Sequence, residues 1–436
     1  MHRRDFLRNS AALTALPLIG SAPRLIPNHQ RALRVNGARL NGWLAQFDSI
    51  GRTPTGINRV AYSEADLAGR AFTLDLYRQA GLTPRIDAAG NIFGRVAGTD
   101  ASLKPILIGS HVDSVTDGGN YDGPVGSFGA IEVARTLREQ NVRLRHPVDV
   151  VVWSNEEGGT IGSKSAVGMI TAADLDVVAR SGKTRRDGIG IVGGNVARLS
   201  DAILKKGDIA CYMELHIEQG GILEQKGLQI GVVEGIVGLR WFEITITGFS
   251  NHAGTTPMDQ RQDAMLAAAK FTVAVNEAVR AVSGRTVATV GRVVVSPNTT
   301  NVIPGQVVMM VDLRDLDQAK VEHFTTRFEQ IGREIGTATN TKFAFARTVD
   351  SVPAISDPKV MSWIDGAVAA LGLTRQRMPS GAGHDAQEIA HIAPMAMIFI
   401  PSVGGISHSP REFSKPEDIT NGANVLLNAV IAADAQ

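Results

Sequence analysis

Four short stretches place imidazoles and carboxylates just beyond apolar runs. Residues 105–109 lead into His111 and Asp113, and residues 148–153 lead into Glu156 and Glu157. Residues 209–213 lead into Glu214, His216, Glu218 and Gln219, and residues 395–400 lead into His408. These are donor types that hold divalent metals. The chain has one cysteine, Cys211, so a thiolate-rich cluster is excluded and any metal must be held by His and carboxylates. A lone histidine near a strand is more often a hydrogen-bonded polar residue than a ligand. Four donor groups at equivalent positions are harder to explain that way, because each would otherwise put a costly polar group at a sheet's edge. His111 and Asp113 are two apart, so on extended backbone they share a side. That suits a ligating imidazole whose second nitrogen donates to a carboxylate. Asp122 lies in a glycine-rich loop, residues 117–129. It reads either as an ordinary turn former, like Asp117, or as a bridge between two metals.

The elements that must position these groups follow from the same runs. Short continuous apolar runs alternating with helical patterns, such as residues 125–140, predict strands buried on both faces. That gives an α/β domain with a mainly parallel sheet and helices on both sides. Ligands bind beyond the carboxyl ends of such strands, where these groups fall. Ser63 opens a capping box with Asp66 and predicts a helix that ends at Gly81, with Leu67, Ala71 and Leu74 as its apolar face. Residues 239–351 read differently. They predict strand 241–247, helix 262–282, strands 286–295 and 306–314, helix 316–336 and strand 342–349. This β-α-β-β-α-β order is ferredoxin-like. It predicts an inserted α+β lid and dimerisation domain at 239–351, interrupting a catalytic metal-binding domain at 23–238 and 352–436.

At 436 residues, with 44% apolar composition, the chain can build two or three packed domains. The formal net charge of +1 gives no polyanion-binding bias, so no nucleic-acid partner is expected. The N-terminus carries Arg3 and Arg4 before Phe6-Leu7, a short apolar stretch, and Gly20-Ser21-Ala22. This predicts a twin-arginine export signal over residues 1–22, cleavage near Ala22, a periplasmic or otherwise exported enzyme, and the export machinery as a partner. Removing those residues takes out Arg3, Arg4, Arg8 and Asp5, so the charge moves from +1 to −1. No stretch is long enough to span a bilayer, so no stable membrane association is expected after processing.

The motifs resemble those of the M20-clan two-metal amidohydrolases, more narrowly the hydantoinase/carbamoylase group. That group includes N-carbamoyl-L-amino acid hydrolases, allantoate amidohydrolases and β-ureidopropionases. The residues that carry the resemblance are Gly109-Ser110-His111-Val112-Asp113, Tyr121-Asp122-Gly123, Asn155-Glu156-Glu157-Gly158 and Glu214-Leu215-His216-Ile217-Glu218-Gln219. Later matches include Asn251-His252, Asn301 to Gly305, Asp312-Leu313-Arg314, Gly383-His384-Asp385 and Ser407-His408-Ser409-Pro410. The resemblance implies that His111, Asp122 and His216 hold one divalent ion and that Asp122, Glu157 and His408 hold a second. Zn, Mn, Co and Ni all suit such donors. It implies Glu156 as general base, and Asp113, beside His111, is the other expected catalytic residue. It places Gln219, His252, Asn301, Arg314 and His384 against substrate, with the lid residues often supplied by the partner subunit. Pro124 departs from the small or leucine residues usual after Asp-Gly, and is expected to reshape the pocket beside Asp122.

The expected reaction is water attack on a linear ureido or N-carbamoyl C–N bond of a carboxylate-bearing compound, such as an N-carbamoyl-L-amino acid, allantoate or β-ureidopropionate. The nearest alternative is a two-metal dipeptidase or aminoacylase of the same clan. An alternative of another class is a non-catalytic periplasmic binding protein, which would lack a ligand or the base. The inserted sheet's edge strand predicts a homodimer. Gly188 to Gly193 has suggestive glycine spacing, yet it follows Arg185-Arg186-Asp187 rather than an apolar strand, so a dinucleotide site is not indicated.

Overall fold

The computed structural model describes residues 32–435, and the expected export signal lies outside them. The larger sheet has nine strands. Its centre runs Met395–Ile400, Cys211–Ile217, Ile106–His111 and Val148–Trp153, all mutually parallel. Every residue of these four strands is buried, as expected for a sheet covered on both faces. The flanks are antiparallel. Ile92–Val96 runs against Val148–Trp153, and Ile230–Ile236 runs against Met395–Ile400. The sheet is therefore mixed. The four central strands that carry the chemistry are parallel, and Arg375–Ser380 adds a further parallel pair with Ile230–Ile236. The antiparallel strands Ile92–Val96 and Ile230–Ile236, the strand Arg375–Ser380 and the C-terminal helix Pro416–Asp434 were not foreseen from sequence.

One face is covered by helices Pro124–Glu139, Pro358–Leu371 and Pro416–Asp434, which also touch one another. Gly126 brings the first of these close to the sheet. A Cβ there would lie 2.0 Å from the Leu215 carbonyl, one residue before His216. On the other face Trp153, Tyr212, Met397 and Phe399 form a core with residues of the short helices Ile161–Ala166 and Asp385–Ile389. Trp153 satisfies its indole N–H by donating to the Tyr212 hydroxyl at 3.0 Å.

Helix Glu64–Gln79 begins at the expected cap, with the Ser63 hydroxyl accepting the Asp66 N–H at 3.1 Å. Its buried face differs from the apolar stripe read from sequence. Asp66, Gly69, Arg70, Thr73, Leu76 and Tyr77 face inward, while Ala71 is exposed and Leu67 and Leu74 are half-buried. Polar burial is tolerated because each group finds a backbone partner. Asp66 accepts the Tyr62 N–H at 2.7 Å, Thr73 donates to the Gly69 carbonyl at 2.8 Å, and Arg70 donates to the carbonyl of Gly90.

The second sheet has four antiparallel strands in the order Val287–Ser296, Gln306–Asp315, Gly238–Thr247, Lys342–Ser351. Helices Ala264–Arg280 and Gln318–Thr339 pack on one side through Phe271, Val275, Phe324 and Phe328. Burial alternates along Gly238–Thr247, which contains the expected strand 241–247. Phe242, Ile244 and Ile246 are buried, while Glu243 and Thr245 are half-buried on the other face. Leu239 and Ser351 pair across the crossing strands, and the chain rejoins the large sheet at Ala354–Ile355. Among the described residues, no helix is long and apolar enough to cross a membrane.

Candidate functional site

The ends of the central strands converge as their shared direction requires. Strand Ile106–His111 ends on His111, and strand Cys211–Ile217 carries His216 near its end. Val148–Trp153 is followed by Asn155 in the left-handed region (φ 53°), which turns the chain before Glu156 and Glu157. Left-handed backbone at non-glycine residues is uncommon and clusters at functional sites. Gln219 (φ 58°) and His408 (φ 52°) share it. Neighbours on a strand would point to opposite sides. The two glutamates lie on a turn instead, and the turn separates them.

Asp122 stands at the centre. Its Oδ1 lies 3.1 Å from His216 Nε2 and 3.8 Å from His111 Nε2. Its Oδ2 lies 3.1 Å from His408 Nε2, which is 3.6 Å from Glu157 Oε1. Two donor sets result, His111–Asp122–His216 and Asp122–Glu157–His408, each with its ligand atoms within 4.8 Å of one another. Gly123 makes this approach possible. It has φ 85°, and a Cβ there would fall 2.5 Å from the His111 ring. Pro124 occupies the first position of helix Pro124–Glu139, where a missing N–H costs nothing, so it starts the helix directly after Gly123.

The donors fit divalent metal ions. His216 Nε2 and Glu157 Oε1 are buried without a hydrogen-bond partner, and both face the Asp122 carboxylate cluster. Groups of this kind cost free energy unless an ion or water completes them. The electrostatics agree. Burial, then the neighbouring Glu157 charge, holds Glu156 well above the usual carboxylate range. Burial and Asp122 push Glu157 up to about 8. Burial works against charge on His216, yet the adjacent Asp122 carboxylate prevails and holds it at about 9. Burial pushes His111, farther from Asp122, down to about 4. So many carboxylates in one dry pocket are a site for positive charge.

The Asp113 carboxylate does not hold the His111 ring as expected. His111 Nδ1 faces the Asp113 main-chain carbonyl at 3.2 Å, and the nearest carboxylate oxygen is 3.7 Å away. That carboxylate instead accepts the N–H groups of Glu156 (3.2 Å) and Glu157 (3.1 Å). Asp113 therefore fixes the backbone of both glutamates.

Gln219 donates to Asp122 Oδ2 at 2.7 Å, so it belongs to the cluster. His384 is buried with its ring centroid 4.4 Å from that of His216, and its Nε2 pairs with the Ser380 hydroxyl at 2.9 Å. Burial holds its pKa well below the ordinary value, so it stays neutral. Arg314 comes from the second sheet. It is clamped by Asp312 and donates to the Gly381 carbonyl at 2.6 Å, in the loop before His384. His252 and Asn301 are exposed. They adjoin each other through the Ala253 N–H to Asn301 carbonyl bond (3.0 Å), and neither hydrogen-bonds to the cluster. The structure thus gathers nine of the expected site residues about Asp122 and His216, brings Arg314 to the loop before His384, and leaves these two apart.

Sequence reading missed Glu412 and, as a tether, Glu214. Glu412 is buried and accepts the N–H groups of Tyr121 (2.9 Å) and Asp122 (3.0 Å), the Ser407 hydroxyl (2.9 Å) and the His408 N–H (3.2 Å). It ties the two loops that supply the second donor set. Glu214 accepts from Ser110 (2.8 Å), Tyr212 (3.1 Å) and the Ala386 N–H (3.1 Å), joining the strands of His111 and His216 to the segment after His384. A carboxylate two residues before His216 was the available signal.

Residues 107–432 match the family described as Peptidase family M20/M25/M40. The chain is 38% identical to an N-carbamoyl-L-amino acid amidohydrolase of Geobacillus stearothermophilus, over 91% of this chain and 98% of the relative. It is 34% identical to the allantoate amidohydrolase of Escherichia coli strain K12, over 88% and 94%. A crystal structure of a hydantoinase/carbamoylase family amidase from Burkholderia multivorans superimposes with a TM-score of 0.85 at 37% identity, covering 92% of this chain and 99% of the other. The chain belongs to the M20/M25/M40 peptidase family, within its hydantoinase/carbamoylase group of amidohydrolases.

Proposed function

We propose that this protein hydrolyses a linear ureido or N-carbamoyl C–N bond in a small carboxylate-bearing compound, with two divalent ions per subunit. N-Carbamoyl-L-amino acids lead the candidates, with allantoate and β-ureidopropionate beside them. The observation that carries the reading is Asp122, which presents one oxygen to each of two donor sets. The names of the relatives support the substrate class. Divalent ions in these sets, whether Zn, Mn, Co or Ni, would polarise the ureido carbonyl and acidify a water.

The chain's own groups supply the rest. Glu156, its backbone held by Asp113, takes a proton from the attacking water. Water oxygen bonds to the carbonyl carbon, the C–N bond breaks, and Glu156 returns the proton to the departing nitrogen. The neutral His384, its ring beside that of His216, is the donor this reading assigns to the developing oxyanion. Arg314 offers a planar fork to the substrate carboxylate, exchanging the Gly381 carbonyl for it. Closure of the second sheet over the cluster, hinged near Leu239 and Ser351, is part of this reading. His252 and Asn301 fit it as residues given to the partner's site in a homodimer. Supporting a dimer, Val287, Val293 and Val294 on the edge strand and Met265, Leu266 and Val273 on the adjacent helix are exposed. The export reading rests on residues 1–22 alone.

Metal-loaded protein should turn over at least one member of a panel of N-carbamoyl amino acids, β-ureidopropionate, allantoate and ureidoglycolate, and none of a matched dipeptide set. Cleavage of dipeptides alone would replace this reading with the peptidase one. Light scattering after size exclusion reads the dimer, and fractionation of the native host reads the export signal.

A further inference from the structure

Beside the metal-binding cluster lies a cavity of about 260 Å³ that the reaction above leaves unused. Asp113, Asn155 and Glu157 form its inner wall, which is also the outer edge of the cluster. Val177, Val178 and Arg180 belong to its outer wall. At this size it holds a portion of a ligand rather than a whole one.

The outer wall is pinned in place. Ala179 and Lys183 form a short hairpin, with the Ala179 N–H donating to the Lys183 carbonyl at 2.8 Å and the Gly182 N–H to the Ala179 carbonyl at 2.9 Å. Lys183 ties the hairpin to the Tyr62 carbonyl at 3.0 Å. Arg185 donates to the carbonyls of Gly158 and Asp174, so the wall is anchored to the turn that carries Glu157. The exposed side chains on this wall are unusual in kind. Val177 and Val178 are 43% and 63% exposed, two large apolar residues in succession facing solvent. Arg180, at the hairpin tip, is also exposed. The neighbouring arginines are engaged, Arg185 with two carbonyls and Arg186 with Asp176 at 2.8 Å. Arg180 has no hydrogen bond or ion pair with any described residue.

An apolar wall with an unpaired guanidinium at its rim suits a short methylene chain ending in a carboxylate. We propose that this cavity is a side-chain subsite and that Arg180 selects ureido substrates bearing a second carboxylate, the N-carbamoyl derivatives of acidic amino acids. The inference rests on the function proposed above, in which Arg314 takes the first carboxylate.

The test compares N-carbamoyl-L-glutamate with N-carbamoyl-L-glutamine, which has the same shape without the charge, on metal-loaded full-length protein. The acid should exceed the amide in kcat/KM by about tenfold or more, the scale of one charge-assisted contact. Arg180→Glu should reverse the ratio, and Arg180→Lys should restore most of it. A ratio near one in the unmodified protein, or a ratio that Arg180→Glu leaves in place, overturns the proposal. Turnover of N-carbamoylglycine, which has no side chain, reports separately on the function itself. If no ureido compound is turned over, calorimetric binding of the same acid and amide to Glu156→Gln protein decides. A preference for the acid that Arg180→Glu abolishes upholds the subsite, and equal binding refutes it.

Discussion

The two sheets bring their site residues forward in opposite ways. In the large sheet His111, Asp122 and His216 are almost fully buried, and their ligand atoms face one another within a single chain. In the small sheet His252 and Asn301 are exposed on loops, and only Arg314 reaches toward the cluster, through Gly381. The first region is preorganised by packing, at the cost of crowding carboxylates in a dry pocket. In the function proposed above, the second meets its substrate on closure or in a partner subunit. Chemistry that must be placed to a fraction of an ångström sits on rigid strands, whereas substrate capture can sit on a moving part.

Variants should respect this division. Glu156→Gln should lower kcat by roughly 10²–10⁴-fold, as expected for loss of a general base, while bound metal measured by atomic emission stays near the unmodified level. Loss of metal in that variant would move Glu156 from base to ligand. Glu412→Gln should weaken metal binding by about 10–100-fold, because it loosens the Asp122 and His408 loops together. Chelator competition reads this, and an unchanged affinity would make Glu412 only a packing residue. Arg314→Ala and His252→Ala should spare metal content. Arg314→Ala should raise KM by roughly 10–100-fold for carboxylate substrates and leave the chelator titration alone. A shift in metal affinity in either variant would erase the contrast between the two sheets.

The smallest effect is on stability against pH, and it has opposite signs in the two regions. Burial raises Asp66, beneath the large sheet's site, to about 6 from the usual 3.8. Its contribution is complete below the unfolded value of 3.8 and is lost as pH rises through about 6. In the small sheet the Arg240 guanidinium lowers Glu322, so that contribution is present above the ordinary carboxylate value and is lost as pH falls through the lowered one. Melting temperatures between pH 3.5 and 7.5 should show Asp66→Asn flattening the upper part of the profile and Glu322→Gln the acid limb. Identical profiles for both variants would refute the assignment.

Much of this was legible along the chain. Strand ends carry His111 and His216, and the loops that follow strand ends carry Glu156, Glu157 and His408, because a buried parallel strand is a continuous apolar run and polarity returns beyond it. The β-α-β-β-α-β order of the small sheet was legible from its strand patterns, 241–247 among them, and from two long helical patterns. What escaped were residues whose role depends on a distant partner. Glu412 lies 290 positions from Asp122 yet holds its N–H. Asp113 had the right spacing to support His111, but the backbone turn at Asn155 brought two closer donors to its carboxylate. The inward face of helix Glu64–Gln79 was misread because polar Asp66, Arg70 and Thr73 find backbone partners in the interior.

By itself the sequence determined which donors exist, in what order, and on which kind of element. Those properties follow from side-chain chemistry and from periods of two and 3.6 residues, both of them local. Only the tertiary structure decided that Asp122 turns one oxygen to each donor set, that Glu156 and Glu157 part at a left-handed turn, and that Arg314 bonds the loop before His384 while His252 and Asn301 stand apart. These outcomes depend on pairings between segments far apart in the chain. Such pairings are fixed by close packing and by the need to satisfy every buried polar group, neither of which a local pattern encodes.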